Sequence, residues 1–573
     1  MATTEDRTAR MEAAETLREI GALLAMENGN RFRTQAYQRA ANVVEGVPDF
    51  EALALTGRLT SLPGVGPGIA RVLEESLRTG RSALLEKLRK QYPSGTLELS
   101  SVLSLPRIRL VHEALCVTTL AGLRSACEEG RVRSLPGFGV KSERKLIERI
   151  DALVPHGQVV ILPQAVAQGF TLCEHLRRHR SVVLVEVAGT LRRREETIER
   201  LDIVVGSKDA DAVVSHAQRI PGVATIEQIG ADRFILHQLG GLDAHVRVVE
   251  PADFAVALVD STGSPAHLAK LAQRATDKGL VLDDLALRKG RRKLSIANEE
   301  ALYSHLDLDF VPPELREDTG EFEAAAKGRI PTDLVRVEDI QGVVHCHTDY
   351  SDGKHTIEQM AQAAEALGLR YMTITDHSRS ATYANGLELD RLERQADEIA
   401  RVQEKVTIRL LHGSECDILQ DGALDYPQSV LKRLDVIVAS IHRRHKMNAD
   451  EMTARLVRAM RNPLFKIWGH ALGRYVLSRP PFECHMDEVL DAVAKSRAAI
   501  EVNGDPNRLD LAPRWIREAR LRRIPFVVST DAHSTAALQN VRWGVDMARR
   551  GWLRARDVLN TLGPAEFAEA VHP

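Results

Sequence analysis

Short apolar runs alternate with longer amphipathic segments through the C-terminal part of the chain. The apolar runs have the length of strands, whereas segments such as 357–367, 451–461 and 486–496 carry apolar residues at helical spacing. A regular alternation of strand and helix predicts parallel strands, because the chain needs a crossover to return to the same end of the sheet. Seven strands can be recognised in residues 339–573, and we expect them to form a distorted, TIM-like (β/α)7 barrel.

Each of these apolar runs ends in side chains that can bind a metal ion. In the first run, V-V-H-C-H, His345 and His347 lie two residues apart, so both would leave the same face of a strand. The carboxyl ends of barrel strands meet at one rim, and we expect the ligands of all runs to gather there. Nitrogen and oxygen donors without thiolates suit divalent ions. The candidate metal-binding side chains are His345, His347, Asp352, His377, Glu415, His442, His470, Glu501, Asn503, Asp531 and His533.

The N-terminal part of the chain predicts helices that are joined by glycine-rich turns. The segments L-P-G-V-G-P-G at 62–68 and L-P-G-F-G-V-K at 135–141 each precede a predicted helix. Glycines at these positions leave backbone N–H groups free to approach a phosphate at the helix N-terminus. A third segment, 104–110, resembles the other two but carries Arg107 and Arg109 where they have glycines.

The pattern of elements divides the chain into five segments. Between the helical N-terminal part and the barrel, strands and helices alternate in an order typical of a mixed α/β domain. An acidic stretch, E-D-T-G-E-F-E, and then Pro331 separate this domain from the barrel. The expected segments are 1–95 (helical), 96–155 (helical), 156–320 (mixed α/β), 321–338 (linker) and 339–573 (barrel).

Composition limits where the protein acts and what it binds. A chain of 573 residues is too long for one core. No apolar run reaches the ~18 residues needed to span a bilayer, and the polar N-terminus is not a secretory signal. Six cysteines without paired spacing favour a reducing compartment, and we therefore expect a cytoplasmic protein. We also expect a monomer that does not bind membranes. The net charge of −2 means that any binding of nucleic acid depends on local basic patches.

Over nearly its whole length, the chain resembles bacterial family X DNA polymerases. The two glycine-rich segments resemble helix-hairpin-helix motifs, and N-R-F-R-T-Q-A-Y at 30–37 resembles the start of a small DNA-end-binding domain. V-A-G-T-L-R-R-R, within 182–205, resembles the nucleotidyltransferase core. The resemblance implies a fingers-like second segment and a palm- and thumb-like third segment. It also implies DNA contacts by Arg31, Arg33, Arg39, Gly64, Gly66, Gly68, Gly137, Gly139 and Lys141.

The order of candidate ligands in the barrel resembles the PHP (polymerase and histidinol phosphatase) domain. The resemblance implies three divalent ions, which could be Zn²⁺, Mn²⁺ or Fe²⁺. The implied ligand sets are His345, His347, Glu415 and Asp531 for one ion, Glu415 as a bridge with His442 and His470 for the second, and Asp352, His377 and His533 for the third. The residues implied in catalysis are Asp352, Glu415 and Asp531. Phosphate could be bound by the neighbouring Arg443, Arg474 and Arg508.

The resemblance also places a polymerase site in the middle segment, but two of its carboxylates are missing. Family X chemistry uses three carboxylates that converge on two Mg²⁺ ions. The corresponding positions are Arg200, Asp202 and His245. Arg200 and Asp202 lie two residues apart on one strand, so we predict a salt bridge between them in place of Mg²⁺. Asp260 and Ser261 stand where a nucleotide-facing Tyr-Phe pair is expected, and we therefore predict a degenerate, inactive polymerase site.

The sequence favours a DNA-repair enzyme whose PHP domain hydrolyses phosphoesters. We expect a 3′–5′ exonuclease or 3′-end phosphoesterase that acts on gapped, nicked or 3′-ended DNA. Three alternatives remain open at this point: a gap-filling DNA polymerase in base-excision repair, a small-molecule phosphatase that resembles histidinol-phosphate phosphatases, and a noncatalytic DNA-end binder.

Overall fold

The computed structural model describes most of the chain and divides it into two compact units. Unit 1 comprises Met1–Gln158, His175–Ser181 and Asp209–Val246, and unit 2 comprises Val159–Glu174, Val182–Lys208 and Arg247–Pro573. None of the described helices is long and apolar enough to cross a membrane. The described residues are 13–14, 16–24, 31–45, 47, 50–79, 82–92, 96–151, 153 and 157–572.

Helices form the N-terminal part of unit 1, as their apolar spacing predicts. Hydroxyl side chains cap two of their first turns: Ser82 accepts a hydrogen bond from Leu85 N, and Thr119 accepts one from Gly122 N. Residues 13–14 and 16–24 are also helical. The α-helices that follow are Arg31–Glu45, Phe50–Leu55, Pro67–Thr79, Ala83–Gln91, Thr96–Leu99, Leu105–Leu115, Leu120–Glu128 and Val140–Asp151.

The two glycine-rich segments adopt the same turn before their helices. Gly64 and Gly137 both have a φ of +78°, a conformation that strongly favours glycine. The third segment, which resembles the other two in sequence, does not form such a turn. Its helix begins at Leu105, and Arg107 and Arg109 lie within it, because neither arginine supplies the left-handed residue that the turn requires.

Strands and helices alternate through residues 160–325. Leu184–Ala188 pairs antiparallel with Leu201–Gly206, and Val223–Gln228 pairs antiparallel with Arg233–Gln238. The remaining strands are Val160–Ile161, Thr197–Ile198, Ala244–Val249, Val281–Leu282, Leu287–Lys289 and Arg292–Lys293. The α-helices are Leu162–Arg177, Gly189–Arg192, Ala210–Ala217, Phe254–Thr262, Pro265–Asp277, Glu299–His305 and Glu321–Ala325.

A seven-stranded parallel barrel forms the C-terminal part of unit 2, as predicted. Its strands pair in the order of the sequence, and several are buried at every residue because helices cover their outer face. The strands are β1 (Gly342–Val343), β2 (Tyr371–Ile374), β3 (Arg409–Asp417), β4 (Val436–Ser440), β5 (Ile467–Trp468), β6 (Ala499–Asn503) and β7 (Phe526–Ser529). The α-helices are Ile357–Ala366, Leu389–Gln403, Gln428–Leu431, Ala449–Met460, Met486–Lys495, Pro513–Leu521, Val541–Arg550 and Pro564–Val571.

The first and last strands meet at a seam that the described residues close in two ways. Beyond the carboxyl ends of the strands, Cys346 and Ala532 form a parallel bridge, in which His347 N donates to Ala532 O at 2.9 Å. Between the strands themselves, the buried side chain of Asn560 donates to Gly342 O of β1 at 3.0 Å and to Val528 O of β7 at 2.8 Å. The same side chain accepts from Val528 N at 2.9 Å. Asn560 therefore satisfies backbone groups that a continuous strand ladder would otherwise pair.

Replacing Asn560 by leucine should destabilise the barrel by about 3 kcal/mol, because three buried hydrogen bonds are lost and backbone groups remain unsatisfied. The measurement is urea unfolding followed by tryptophan fluorescence, since all four tryptophans of the chain lie in residues 339–573. Gln362→Leu, on an exposed helix position, is the control. A loss smaller than about 0.5 kcal/mol would show that the seam does not depend on Asn560.

Candidate metal centre

Glu415, near the end of β3, lies at the middle of a cluster of histidines and is only 1% exposed. Its carboxylate oxygens lie 2.6 Å from His470 Nε2, 2.8 Å from His377 Nδ1 and 3.2 Å from His442 Nε2. His345 Nε2 lies 3.4 Å from the same carboxylate. Imidazole nitrogens around a buried carboxylate are a donor set that suits divalent ions such as zinc.

Eight of the nine predicted ligands come together in three overlapping groups, within each of which the ligand atoms lie within 4.8 Å of one another. The ninth, His470, is in none of these groups but contacts Glu415. Two histidines belong to two groups each, because the His347 ring lies 4.5 Å from the His377 ring and 4.2 Å from the His533 ring. The predicted ligand sets did not share these histidines, and the assignment of ions to ligands stays a prediction. The groups are His345, His347 and Asp531; His377, Glu415 and His442; and His347, Asp352, His377 and His533.

Several ring nitrogens in the cluster are suited to hold a cation. Among the described residues, His345 Nε2, both ring nitrogens of His347 and His442 Nε2 are buried and have no hydrogen-bond partner. A buried polar atom without a partner costs free energy unless an ion or a water satisfies it. The donor atoms therefore fit divalent metal ions bound among them.

Electrostatics favour the metal-binding forms of His347 and Glu415, whereas at His345 the carboxylates of Glu501, Asp531 and Glu415 overcome burial and raise the pKa. Burial, reinforced by the neighbouring His377 and His533, lowers the pKa of His347 to about 3, so its imidazole is neutral. Burial alone would raise the pKa of Glu415, but the surrounding imidazoles hold that pKa well below its usual range. A neutral imidazole and an ionised carboxylate are the forms that coordinate metals.

Three carboxylates outside the predicted ligand sets hold the cluster in place, and of these the sequence had singled out only Glu501. Glu501 Oε1 lies 2.6 Å from His345 Nδ1, and Asp417 Oδ1 lies 3.1 Å from His442 Nδ1. Asp376 accepts hydrogen bonds from Thr348 N and Thr348 Oγ1 and so fixes the loop that carries Asp352. Such partners orient the ligands toward the metal. The one signal for Asp417 was its position two residues beyond Glu415 on the same face of β3.

The prediction that His345 and His347 lie on a strand is wrong, although the two histidines do face the same site. β1 ends at Val343, and His345 has a φ of +64°. His470 and Asp531 also have a positive φ, +23° and +47°. Sparsely populated backbone conformations persist where surrounding contacts enforce them, and they are frequent at functional sites. Here the bridge between Cys346 and Ala532 holds the segment after β1 beside the segment after β7.

The cluster opens to solvent on one side only. The side chains of Asp352 and His533 are 36% and 35% exposed, whereas those of His345 and His347 are fully buried. A substrate can therefore approach on the side of Asp352 and His533.

The three arginines that were candidates for phosphate binding differ in their surroundings. Arg508 is 8% exposed, its Nε lies 2.9 Å from Asp531 Oδ2, and its Nε and one terminal nitrogen have no hydrogen-bond partner among the described residues. Arg474 is engaged elsewhere, with Arg508 O and with Glu196. Arg443 is exposed and donates to Thr382 Oγ1 at 3.4 Å. Of the three, Arg508 is the buried guanidinium next to the cluster.

Known proteins match this chain over nearly its whole length. Family models match as a helix-hairpin-helix domain over 9–82, a DNA polymerase beta thumb over 257–317 and a PHP domain over 344–505. The chain is 31% identical over 552 residues to the DNA polymerase/3′-5′ exonuclease PolX of Bacillus subtilis, which covers 95% of this chain and 96% of that protein. The chain belongs to the PolX family.

Shorter relatives of this PolX-family chain match its PHP domain. A probable phosphatase of Caldicellulosiruptor bescii is 30% identical over 170 residues, 28% of this chain and 63% of that protein. A probable phosphatase of Acetivibrio thermocellus is 26% identical over 198 residues, 33% of this chain and 78% of that protein. These matches, together with the barrel, confirm the predicted family and the predicted fold class.

The polymerase positions of this PolX-family chain carry paired charges. Arg200 Nε lies 3.1 Å from Asp202 Oδ1, so the predicted salt bridge is present. Asp260, at the expected aromatic position, accepts from the buried Arg247 at 2.9 Å. His245 lies on the strand Ala244–Val249.

The predicted DNA-contact residues lie on unit 1, and their role stays a prediction. At each of the five hairpin glycines an added Cβ would meet nothing within 4 Å, so the turns face open space. Arg33, Arg39 and Lys141 are exposed, and the side chain of Arg31 lies outside the described residues. Arg107 donates to Gly137 O at 3.3 Å and lies against Phe138 in the second hairpin.

Glu415→Gln should reduce the number of divalent ions bound per chain, because the neutral amide removes the charge that the imidazoles surround. The measurement is metal content by mass spectrometry after equilibrium dialysis against Mn²⁺. His485→Ala is the control, since that exposed histidine contacts Asp450 outside the cluster. Equal metal content in the Glu415→Gln and native proteins would contradict a central role for this carboxylate.

Proposed function

We propose that this chain is a metal-dependent 3′–5′ exonuclease and 3′-end phosphoesterase that acts on DNA through its PHP domain. The observation that carries the proposal is the convergence of the predicted His, Asp and Glu ligands around the buried Glu415. The B. subtilis relative is named as a polymerase and 3′-5′ exonuclease over nearly the same length. We propose three divalent ions, Zn²⁺, Mn²⁺ or Fe²⁺, because the ligands supply nitrogen and oxygen but no thiolate.

Phosphodiester hydrolysis requires an attacking water and a stabilised leaving oxygen. Water adds to phosphorus, the bond between phosphorus and the 3′ oxygen breaks, and that oxygen takes up a proton. Divalent ions held by the cluster supply a water of lowered pKa and neutralise charge on the phosphate oxygens. The chain contributes the ligands, and Glu501 and Asp417 keep His345 and His442 directed inward.

Arg508 is placed to bind the phosphate of the substrate. Burial opposes its charge, but the neighbouring Asp531 and Tyr475 raise the pKa of Arg508, so the guanidinium remains protonated. Its Nε lies against Asp531, and its terminal nitrogen without a hydrogen-bond partner among the described residues can donate to a phosphate oxygen. The residue therefore positions the phosphodiester next to the ligands of Asp531's group.

DNA is the proposed macromolecular partner, in the form of gapped, nicked or other 3′-ended substrates. Helix-hairpin-helix turns bind the phosphate backbone through main-chain N–H groups, without reading the sequence. Gly64, Gly66, Gly137 and Gly139 form such turns here, and their surroundings are open. We propose that the protein acts as a monomer in a reducing cytoplasm.

We propose that the polymerase site is inactive. Two Mg²⁺ ions need converging carboxylates, whereas Arg200 places a guanidinium against Asp202. Asp260 forms an ion pair with Arg247 where an aromatic residue would face the nucleotide. Arg192, in the segment that resembles the nucleotidyltransferase core, is held by Glu299 through two hydrogen bonds of 2.8 and 2.7 Å. Gap-filling synthesis is the competing function, and it would be detected as extension of a primer on a gapped template.

A 5′-labelled primer on a gapped template, incubated with Mn²⁺, should be shortened by the native protein. The His345→Ala, His347→Ala double variant should shorten it at least about a hundredfold more slowly, because charge stabilisation worth several kcal/mol is lost. Adding dNTPs should produce no extension. His485→Ala is the control, and extension by both the native protein and the double variant would show an active polymerase site instead.

Salt dependence separates a nuclease from a small-molecule phosphatase, the function named for the shorter relatives. The KM for a long oligonucleotide should rise about tenfold or more between about 50 and about 200 mM salt, because bound phosphates release counterions. Lys141→Gln should lower the logarithmic slope by about one, while the exposed Lys432→Gln should not. A preference for small phosphomonoesters with no salt dependence on DNA would favour the phosphatase.

A further inference from the structure

An exposed aromatic side chain lies beside two histidines of the candidate metal centre. Tyr383 is 64% exposed, although its ring centroid lies 6.1 Å from that of His377 and 6.0 Å from that of His442. A solvent-exposed tyrosine ring contributes little to a hydrophobic core, so packing does not explain its position. Neither family resemblance nor sequence pattern had assigned this residue a role.

The loop that carries Tyr383 is rigidly held. Ser378 and Leu387 form a parallel bridge, and Leu387 N donates to His377 O at 2.8 Å, so the loop begins and ends at a candidate metal ligand. On one side Ser380 Oγ donates to Asp425 at 2.6 Å, and on the other Asn385 Nδ2 donates to Tyr350 O at 3.1 Å.

Buried alanines lie two residues before and one residue after Tyr383, while the ring of Tyr383 is exposed. Ala381 is fully buried and Ala384 is 2% exposed, so the turn Thr382–Ala384 is anchored beneath the ring. Gly386 approaches the backbone so closely that an added Cβ would lie 2.0 Å from Ser378 O. The ring is therefore presented to solvent by a preorganised loop, which lowers the entropic cost of binding a ligand against it.

The surroundings of the ring match a nucleotide. Arg443, an exposed cation, donates to Thr382 Oγ1 next to the ring, and Arg508 lies against Asp531 inside the centre. Aromatic side chains combined with cations along a backbone are the means by which proteins bind single-stranded nucleic acid without sequence preference.

We propose that Tyr383 stacks on the nucleobase beside the scissile phosphodiester. This inference rests on the proposed exonuclease function and adds the form of its substrate: a 3′ end whose base is unpaired and free to stack. Arg443 would lie near the adjacent backbone phosphate. Because every base has a π-face, the contact would hold any of the four bases and would not select a sequence.

The experiment combines variants with abasic substrates. Native protein, Tyr383→Ala and Tyr383→Phe are compared, with Mn²⁺, on three single-stranded oligonucleotides: one intact, one with a tetrahydrofuran abasic analogue as the 3′-terminal nucleotide, and one with it at the penultimate position. Leu521→Ala, which removes an exposed apolar side chain of the same unit, is the control.

Tyr383→Ala should lower kcat/KM on the intact oligonucleotide by about tenfold or more, mainly through KM, and Tyr383→Phe should restore most of it. On one of the two abasic substrates, native protein and Tyr383→Ala should have the same kcat/KM. If the loss on Tyr383→Ala persists on both abasic substrates, or if Phe does not rescue, the stacking role is overturned. If the native protein degrades none of the oligonucleotides, the proposed exonuclease function itself fails.

Discussion

The barrel is organised around a carboxylate that would be unstable by itself. Removing an ionised carboxylate such as Glu415 from water costs several kcal/mol unless charges or hydrogen bonds compensate. Compensation comes from imidazoles at the ends of different strands, including His345 after β1, His442 after β4 and His470 after β5. The strands must therefore be in register for the charge to be tolerated, and the same register assembles the ligands.

Much of the centre could be predicted because strand and helix alternation fixes where strand ends meet. The candidate ligands could be chosen from their residue type and from their position after an apolar run. What the sequence could not show depends on contacts across the barrel: the support of His442 by Asp417, the seam formed by Asn560, and the exposed ring of Tyr383. The left-handed backbone conformation of His345 could not be predicted either. The local pattern of apolar residues favours a longer β1, whereas in the structure the segment after β1 pairs with the segment after β7 instead.

Ion pairs connect charged residues of the middle region, including Arg200 with Asp202 and Arg247 with Asp260. Glu196, a few residues before Arg200, contacts Arg474 and Arg550 of the barrel. Because Arg474 also bonds to the backbone of Arg508, the middle region supports the segment that lies against Asp531.

The seam sets a condition on when a nascent chain can become a nuclease. Asn560 ties the start of the barrel to its end, and the bridge from Cys346 to Ala532 brings the first ligands beside the last. Until the ribosome has made the chain past Asn560, the hydrogen bonds from this side chain to Gly342 and Val528 cannot form, and the seam lacks one of its two closures. A chain interrupted before Asp531 would carry the helix-hairpin-helix domain without the last two predicted ligands of the metal centre.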